Sequence, residues 1–426
     1  MMPEGTNATD IDLEDLDLWV GPRHRIDQVF TELRARDGHA FFSQRTDDGQ
    51  PFGGYWSVVR REEILEVSRR PEDFSSAKGV NTVDMPPDLT EFFGSIIAMD
   101  NPKHTRQRRI VSRGFSPRAL DALRSDVEAI ATDIVAGVAE AGECDFVTDI
   151  AALLPLRVIV DLMGIPRSEE QFIFQATNRL LGVTEPEYVP DQSNRGRRQA
   201  LMQTGQDLAA LIGELAADRI KNPRNDLITM LVAADGGTEE NLTPQELSSF
   251  FILLVGAGNE TTRNAISHGL LALTEYPEER EQWQANYEEL APAAVEEIVR
   301  WASPVLHMRR TVTADGVRLG DQEFGAGDKV LLWYYSGNRD EATFDQPHRF
   351  DLDRQPNDHI AFGGPGPHFC LGAHLARREI TVAFREIFRQ LPDIRAVGDP
   401  EWIRTNFLNG IRHLRAEYTP QKAATP

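Results

Sequence analysis

The sequence predicts a mainly α fold with a smaller β-rich sector. Three observations carry that reading. Residues 120–240 recur at helical spacing and are interrupted only at turn residues. From Thr243 to about Glu275 runs the longest candidate helix, apolar on most faces and therefore central. Extended runs are short and confined to 40–59, 304–333 and the last thirty residues.

In chain order, residues 1–22 are polar and acidic and read as an arm ending at Gly21-Pro22. Residues 23–426 contain no Ser/Gly-rich linker, repeat or low-complexity tract, so they read as a single domain, although the length would allow about three. Ile26, Val29, Phe30 and Leu33 mark a first helix. Residues 40–44 and 55–59 form a two-strand unit around the turn-rich 47–51, followed by a short helix at 62–68. Residues 75–99 mix Gly, Pro and apolar side chains (Met85, Pro86, Pro87, Phe92, Phe93, Ile96, Ile97) without clean periodicity. A loop of this length either plugs a core or binds something.

The next helix opens at 100–109. Breaks in the helical region are expected at Gly142, Pro155, 164–166, Pro186, Pro190 and Asn222-Pro223. Thr243-Pro244 supplies an N-cap and a first-turn proline for the long helix. A strand at 304–310, hairpin-like strands at 316–320 and 329–333, a helix at 371–380 and a terminal hairpin complete the chain.

Composition excludes several classes. The formal charge of −22 argues against nucleic-acid binding and against non-specific adhesion to anionic membranes. The N-terminus has no basic n-region and no apolar h-region, and no run approaches the roughly 18 apolar residues of a membrane span. Two cysteines, Cys144 and Cys370, provide neither a disulfide framework nor a zinc site. A reducing, cytoplasmic setting is expected.

Cys370 stands in an unusual loop. Gly363, Gly364, Gly366, Pro365 and Pro367 precede it, His368 lies two residues before it, and a helix follows directly. Glycines let backbone approach a flat ligand, and the helix N-terminus favours a thiolate. Such a thiolate suits a single bond to a metal that brings its own other ligands, as haem iron does. A lone cysteine is ordinarily a buried hydrophobe, which is how Cys144 reads. Elsewhere, 103–118 carries five arginines and one lysine without an acid, and Ala257-Gly-Asn-Glu-Thr-Thr262 places small and polar residues inside the apolar helix. Gly258 alone costs that helix about 1 kcal/mol against alanine.

The cysteine loop resembles the haem-binding loop of the cytochrome P-450 family, F-G-x-G-x-H/R-x-C-x-G. Gly363, Gly366, His368, Cys370 and Gly372 are in register, while Phe362 is displaced by one extra residue. Three weaker motifs accompany it in order: His104/Arg108 (H-x-x-x-R), 257–261 (A-G-x-E-T) and Glu297/Arg300 (E-x-x-R). The resemblance covers nearly the whole chain and implies a triangular helical prism holding haem b (Fe-protoporphyrin IX). It implies Cys370 as the axial iron ligand, with His104, Arg108, Arg310, His368, Gly372 and Ala257 around the cofactor. Thr261 would hydrogen-bond dioxygen and Glu260 would relay protons. Glu297, Arg300 and Arg349 would form a structural trio supporting the loop. The 182–196 interval would be a flexible lid.

The implied activity is monooxygenation of a C–H bond, with electrons from a separate ferredoxin and reductase, since no flavin or iron–sulfur segment is present. The basic residues Arg106, Arg109, Arg113 and Arg377 would receive the acidic ferredoxin. A monomer is expected. The loop form and segments such as 249–255 and 294–304 are similar to the mycobacterial branch of methyl-branched-lipid ω-hydroxylases and sterol side-chain hydroxylases. That implies terminal hydroxylation of isoprenoids, branched fatty acids or sterol side chains. Phe92, Phe93, Ile97, Leu253, Ala257, Val305, Met308 and Phe407 are the candidate substrate contacts. The alternatives are biosynthetic hydroxylation of a terpene or macrolide, a peroxide-driven reaction, and a non-catalytic haem-thiolate sensor or carrier. Glu260 and Thr261 speak against the last, since neither is needed to hold haem.

Overall fold

The architecture is given by a computed structural model, which describes residues 11–45, 51–84, 89, 93–232 and 241–421. Its helices include α1 (Leu16–Val20), α2 (Arg23–Arg34), α3 (Arg61–Arg69), α4 (Lys103–Val111), α5 (Arg124–Val138), α6 (Leu153–Met163), α7 (Glu170–Leu181), α8 (Asn194–Lys221), α9 (Pro244–Glu275), α10 (Tyr287–Ala302) and α11 (Ala373–Gln390). Further helical segments at Pro117–Ala122, Leu227–Val232 and Pro277–Ala285 connect them. The strands are β1 (Ala40–Arg45), β2 (Pro51–Val58), β3 (Phe74–Ser75), β4 (Glu143–Asp145), β5 (Met308–Val312), β6 (Val317–Leu319), β7 (Gln322–Phe324), β8 (Lys329–Leu332), β9 (Arg395–Ala396), β10 (Glu401–Trp402), β11 (Ile411–His413) and β12 (Arg415–Glu417).

The central helix is α9. Its start is fixed by a capping box: the Glu246 amide donates to Thr243 Oγ1, and Glu246 Oε2 accepts from the Thr243 amide at 2.9 Å, with Pro244 in the first turn. Buried residues occur on nearly every face, because α6, α7, α8, α10 and α11 all pack against it. Gly269 lets α11 close in: a Cβ there would lie 2.6 Å from Cζ of Phe384.

The main sheet runs β1-β2-β8-β5-β3. Alternation along its strands serves two cores. Trp56, Val58, Val330 and Leu332 face one cluster, and Tyr55, Leu331 and Trp333 face the other. Into this second cluster come Leu13 and Trp19, whose indole stacks on Trp333 with centroids 5.6 Å apart and planes at 6°.

Several expectations need revision here. Residues 11–20, assigned to an arm, are packed against the sheet, since Leu13 and Trp19 have apolar surface to bury. The partner of β6 is β7, while β8 pairs parallel to β2 and antiparallel to β5, so 316–320 and 329–333 are not one hairpin. β12 joins β4 and β9, and β11 pairs with β10, so the C-terminus is not a simple hairpin. Pro155 lies in the first turn of α6, where its missing N–H has no helical acceptor to lose. The helix after Cys370 begins at Ala373. The turn expected around 47–50, and Met85, Pro86 and Pro87, lie outside the described residues. No described helix is long and apolar enough to cross a membrane.

Candidate functional site

A cavity with about 1460 Å³ of unfilled space, part of it open to solvent, lies between α9 and the segment leading into α11. Cys370 opens onto it. Its accessible surface faces this space, while protein surrounds the sulfur on the other sides. Burial pushes the thiol up. The backbone N–H groups of Gly372 and Ala373 and the guanidinium groups of Arg108 and Arg377 act in the opposite direction.

The loop's shape follows from its glycines. Gly363 has φ 87° and Gly366 φ 152°, and at Gly366 any Cβ would run into the Ser68 carbonyl at the end of α3. The Cys370 amide donates to the Phe362 carbonyl at 2.9 Å, so the extra residue is absorbed within the loop. The Phe362 ring lines the cavity and lies under Arg377, whose guanidinium carbon is 4.4 Å from the ring centroid.

The loop is anchored from behind. Glu297 and Arg300, both with fully buried side chains, meet at 2.7 Å. Arg300 donates to the carbonyls of Asn338 and Pro347, and Glu297 accepts from the Asp351 amide and Asn357. The third partner is Arg354, 3.2 Å from Glu297, and not Arg349 as the motif suggested. Arg349 contributes its carbonyl to both arginines, while its half-exposed side chain faces Glu279. The irregular path of 344–354 decides which arginine turns inward. Glu296 forms a second tie, accepting from Arg377 and His359 at 2.8 Å each.

His104, Arg108, Arg310 and His368 converge on the cavity wall. The two imidazoles lie 4.4 Å apart. Burial depresses both, and the nearby cations depress them further, bringing His368 down to about 3. Nε2 of His104 is buried without a partner. Arg108 reaches the Phe369 carbonyl at 2.6 Å, and Arg310 the Arg309 carbonyl at 2.8 Å. A cluster of cations and donors with no acid among them suits an anionic group, such as a pair of carboxylates. With the thiol at one end and apolar walls elsewhere, the donor set fits haem with its propionates.

Across the cavity stand Ala257, Gly258, Thr261 and Thr262 of α9. The Thr261 hydroxyl donates to the Ala257 carbonyl at 2.8 Å. Glu260 does not line the space. It is buried behind it, ion-paired to Arg263, which also donates to Asn178 of α7. Burial raises its carboxyl, and Arg263 opposes that shift.

Of the candidate substrate contacts, Ile97, Leu253, Ala257, Val305 and Met308 line the cavity. Phe93 and Phe407 do not. Phe93 packs over Gly205 of α8, and Phe407 stands edge-on to His307 with centroids 5.5 Å apart. Neighbours outside the cavity took each ring. Phe92 lies outside the described residues. The interval assigned to a lid is pinned: Glu185 is buried and accepts from the Arg404 amide and from Arg412. In the basic patch, Arg106 is tied to Glu246 and Arg377 to Glu296, while Arg109 and Arg113 remain exposed.

Sequence reasoning missed Arg354 and Glu379. Glu379 lines the cavity from α11, four residues after buried Leu375, so an acid on an apolar helical stripe was the available signal.

This combination of helical prism, cysteine loop and facing small-residue helix segment defines a haem-thiolate oxygenase. The chain belongs to the cytochrome P450 family, whose sequence profile matches residues 68–392. It is 44% identical over 418 residues to a methyl-branched lipid omega-hydroxylase of Mycobacterium tuberculosis, covering 97% of this chain and 95% of that one. It is 38% identical to a steroid C26-monooxygenase of Rhodococcus jostii, covering 100% and 87%. Among solved structures, a Mycobacterium marinum cytochrome P450 in complex with pseudoionone superposes with a TM-score of 0.90 at 38% identity, covering 98% and 100%. The protein is thus a P450 monooxygenase, an oxidoreductase whose cofactor is haem b.

Proposed function

We propose that this enzyme hydroxylates the terminal methyl of a methyl-branched lipid: an isoprenoid, a branched fatty acyl chain or a sterol side chain. The observation that carries the reading is the wall facing Cys370. There Ile97, Leu253, Val305 and Met308 offer only apolar surface, and Ala257 leaves room for a branched end. A primary C–H bond is stronger than its tertiary neighbours, so attack there depends on presenting the chain end alone. The names of the relatives point the same way.

In this reading Cys370 binds the iron, and Gly372 leaves the loop open beside it. His104, Arg108, Arg310 and His368 take the propionates. The bound haem supplies cleavage of dioxygen, placing one atom in the substrate and the other in water. Thr261 is within the cavity to offer a hydroxyl. Glu260, the neighbouring residue behind the wall, would relay protons toward it. Electrons come from a separate ferredoxin and reductase. Arg109 and Arg113 are the free cations to meet an acidic carrier, with Arg106 and Arg377 contributing through neutralised pairs. The enzyme acts as a cytoplasmic monomer, one domain following the N-terminal segment.

The test is spectral titration of the holoenzyme with branched and unbranched lipids, followed by product analysis. Branched chains should shift the haem toward high spin and yield primary alcohols. Only internal or tertiary alcohols would overturn the assignment.

A further inference from the structure

The turn that carries the chain from α10 to the cavity wall is strained and is held from outside. Ser303, directly after α10, has φ 38°, one of two positive values at non-glycine residues among those described. A serine keeps that conformation only where its surroundings hold it. Pro304 and Val305, the next two residues, line the cavity. On the near side, the Ser303 amide donates to the Val299 carbonyl and its hydroxyl to the Arg300 carbonyl at 2.7 Å. On the far side stands Asn409, 1% exposed and outside the cavity. Its side-chain amide donates to the Ala302 carbonyl at 2.6 Å, and its backbone amide to the Pro304 carbonyl at 3.0 Å. The two carbonyls held in this way lie on either side of Ser303.

Asn409 is itself fixed by two further helices. Arg23 of α2 donates to Asn409 Oδ1 at 3.1 Å, and that guanidinium lies 3.6 Å over the Trp402 ring. The Asn409 carbonyl, which can only accept, takes the Nε2–H of His268 of α9 at 3.0 Å. The backbone pairing nearby is short: Val305 faces Leu408, and the Leu306 amide reaches the Phe407 carbonyl at 2.9 Å. So short a pairing adds little restraint against the strain.

We propose that Asn409 is a positioning residue for the oxygenation: its clamp across Ser303 sets how far Val305 projects into the cavity, and so which carbon of the lipid is attacked. Asn409 lies outside the cavity and acts only through the wall. Displacing a wall residue by about 1 Å is enough to change which C–H bond is presented. The inference rests on the family assignment and on Val305 facing the substrate, and it holds whichever carbon the wild type prefers.

Product analysis of the holoenzyme with a saturated fatty acid ending in an isopropyl group tests it. Asn409→Ala removes the clamp and the Arg23 contact together. Asn409→Asp keeps an acceptor for Arg23 but cannot donate to Ala302, so it isolates the clamp. In both variants the ratio of the wild type's main alcohol to the other regioisomers should fall about tenfold. The reduced carbonyl-adduct band should stay, because the cysteine loop is untouched. Trp283→Phe controls for general loosening, since that ring packs on Tyr287, Phe384 and Phe388, away from the cavity lining. It should keep the wild-type ratio even where its melting temperature falls as far. A wild-type ratio in Asn409→Asp, or an equal change in Trp283→Phe, overturns the proposal. Val305→Ala withdraws the same wall side chain directly and should shift the ratio in the same direction. An unchanged ratio there overturns the proposal even if neither Asn409 variant folds. Which alcohol the wild type makes judges the lipid assignment, and how the variants change the ratio judges Asn409.

Discussion

The Arg300 guanidinium lies against the Glu297 carboxylate at 2.7 Å with no part of either side chain exposed, and Arg354 closes on the same carboxylate at 3.2 Å. Three charges are thus held beneath the loop that presents Cys370. Removing one partner strands the others in a dry interior. Glu297→Ala should therefore cost about 3–5 kcal/mol. Urea denaturation of the holoenzyme checks it, and the variant should also lose the thiolate-type band of its reduced carbonyl adduct.

Acid should weaken the fold well above the carboxylate range. His307 and His268 are fully buried and depressed by desolvation to about 3, from an ordinary value near 6.5. A folded state that refuses protons accepted by the unfolded chain is most stable above pH 6.5 and loses that advantage as pH falls toward 3. Both ring nitrogens of His307 lack partners, between the Trp333 and Phe407 rings. His307→Phe should consequently be within about 1 kcal/mol of the parent at pH 7. At pH 5 it should be the more stable of the two, read from paired urea melts.

Glu296 adds a second, lower window. Burial raises its carboxyl, but Arg377 and His359 outweigh that and bring it down to about 2 from 4.5. Its contribution is complete above pH 4.5 and disappears as pH falls toward 2. Glu296→Gln should flatten the stability profile in that interval. A profile parallel to the parent's would contradict the assignment.

Ala257 lines the cavity from α9 on the face opposite Cys370. Ala257→Phe should abolish the high-spin shift produced by branched lipids while leaving the carbonyl-adduct band intact, because the added ring occupies ligand space and not the loop. Loss of both would mean that the helix itself had moved.

Gly269→Ala tests the approach of α11 to α9. Alanine gains about 1 kcal/mol of helix propensity. The new Cβ would, however, meet Phe384 at 2.6 Å, and that ring is fixed between Trp283 and Phe388. Overpacking of this kind costs about 1–3 kcal/mol, so net destabilisation is expected in a thermal melt.

Local signals were the ones legible in the sequence. The Thr243-Pro244 cap, the helix it starts and the Gly/Pro loop before Cys370 each depend on neighbours a few residues away, and each appears where expected. What could not be read depends on tertiary choice. Arg349 and Arg354 are five positions apart in an irregular segment, and only its folded path turns the second inward. Phe93 and Phe407 are as apolar as Ile97, yet they found Gly205 and His307 instead of the cavity. Glu260 follows the motif in sequence, but its side chain belongs to Arg263.

The stacking of Trp19 on Trp333 bears on how the protein would age in a tube. A protease cutting near Gly21-Pro22 would strip away a short helix that serves as a lid over indole and phenyl faces at the floor of the sheet. The clipped product would then carry a fresh greasy spot of the kind that draws proteins together. Clouding of stored samples should follow loss of this first segment, well before any bleaching of the chromophore.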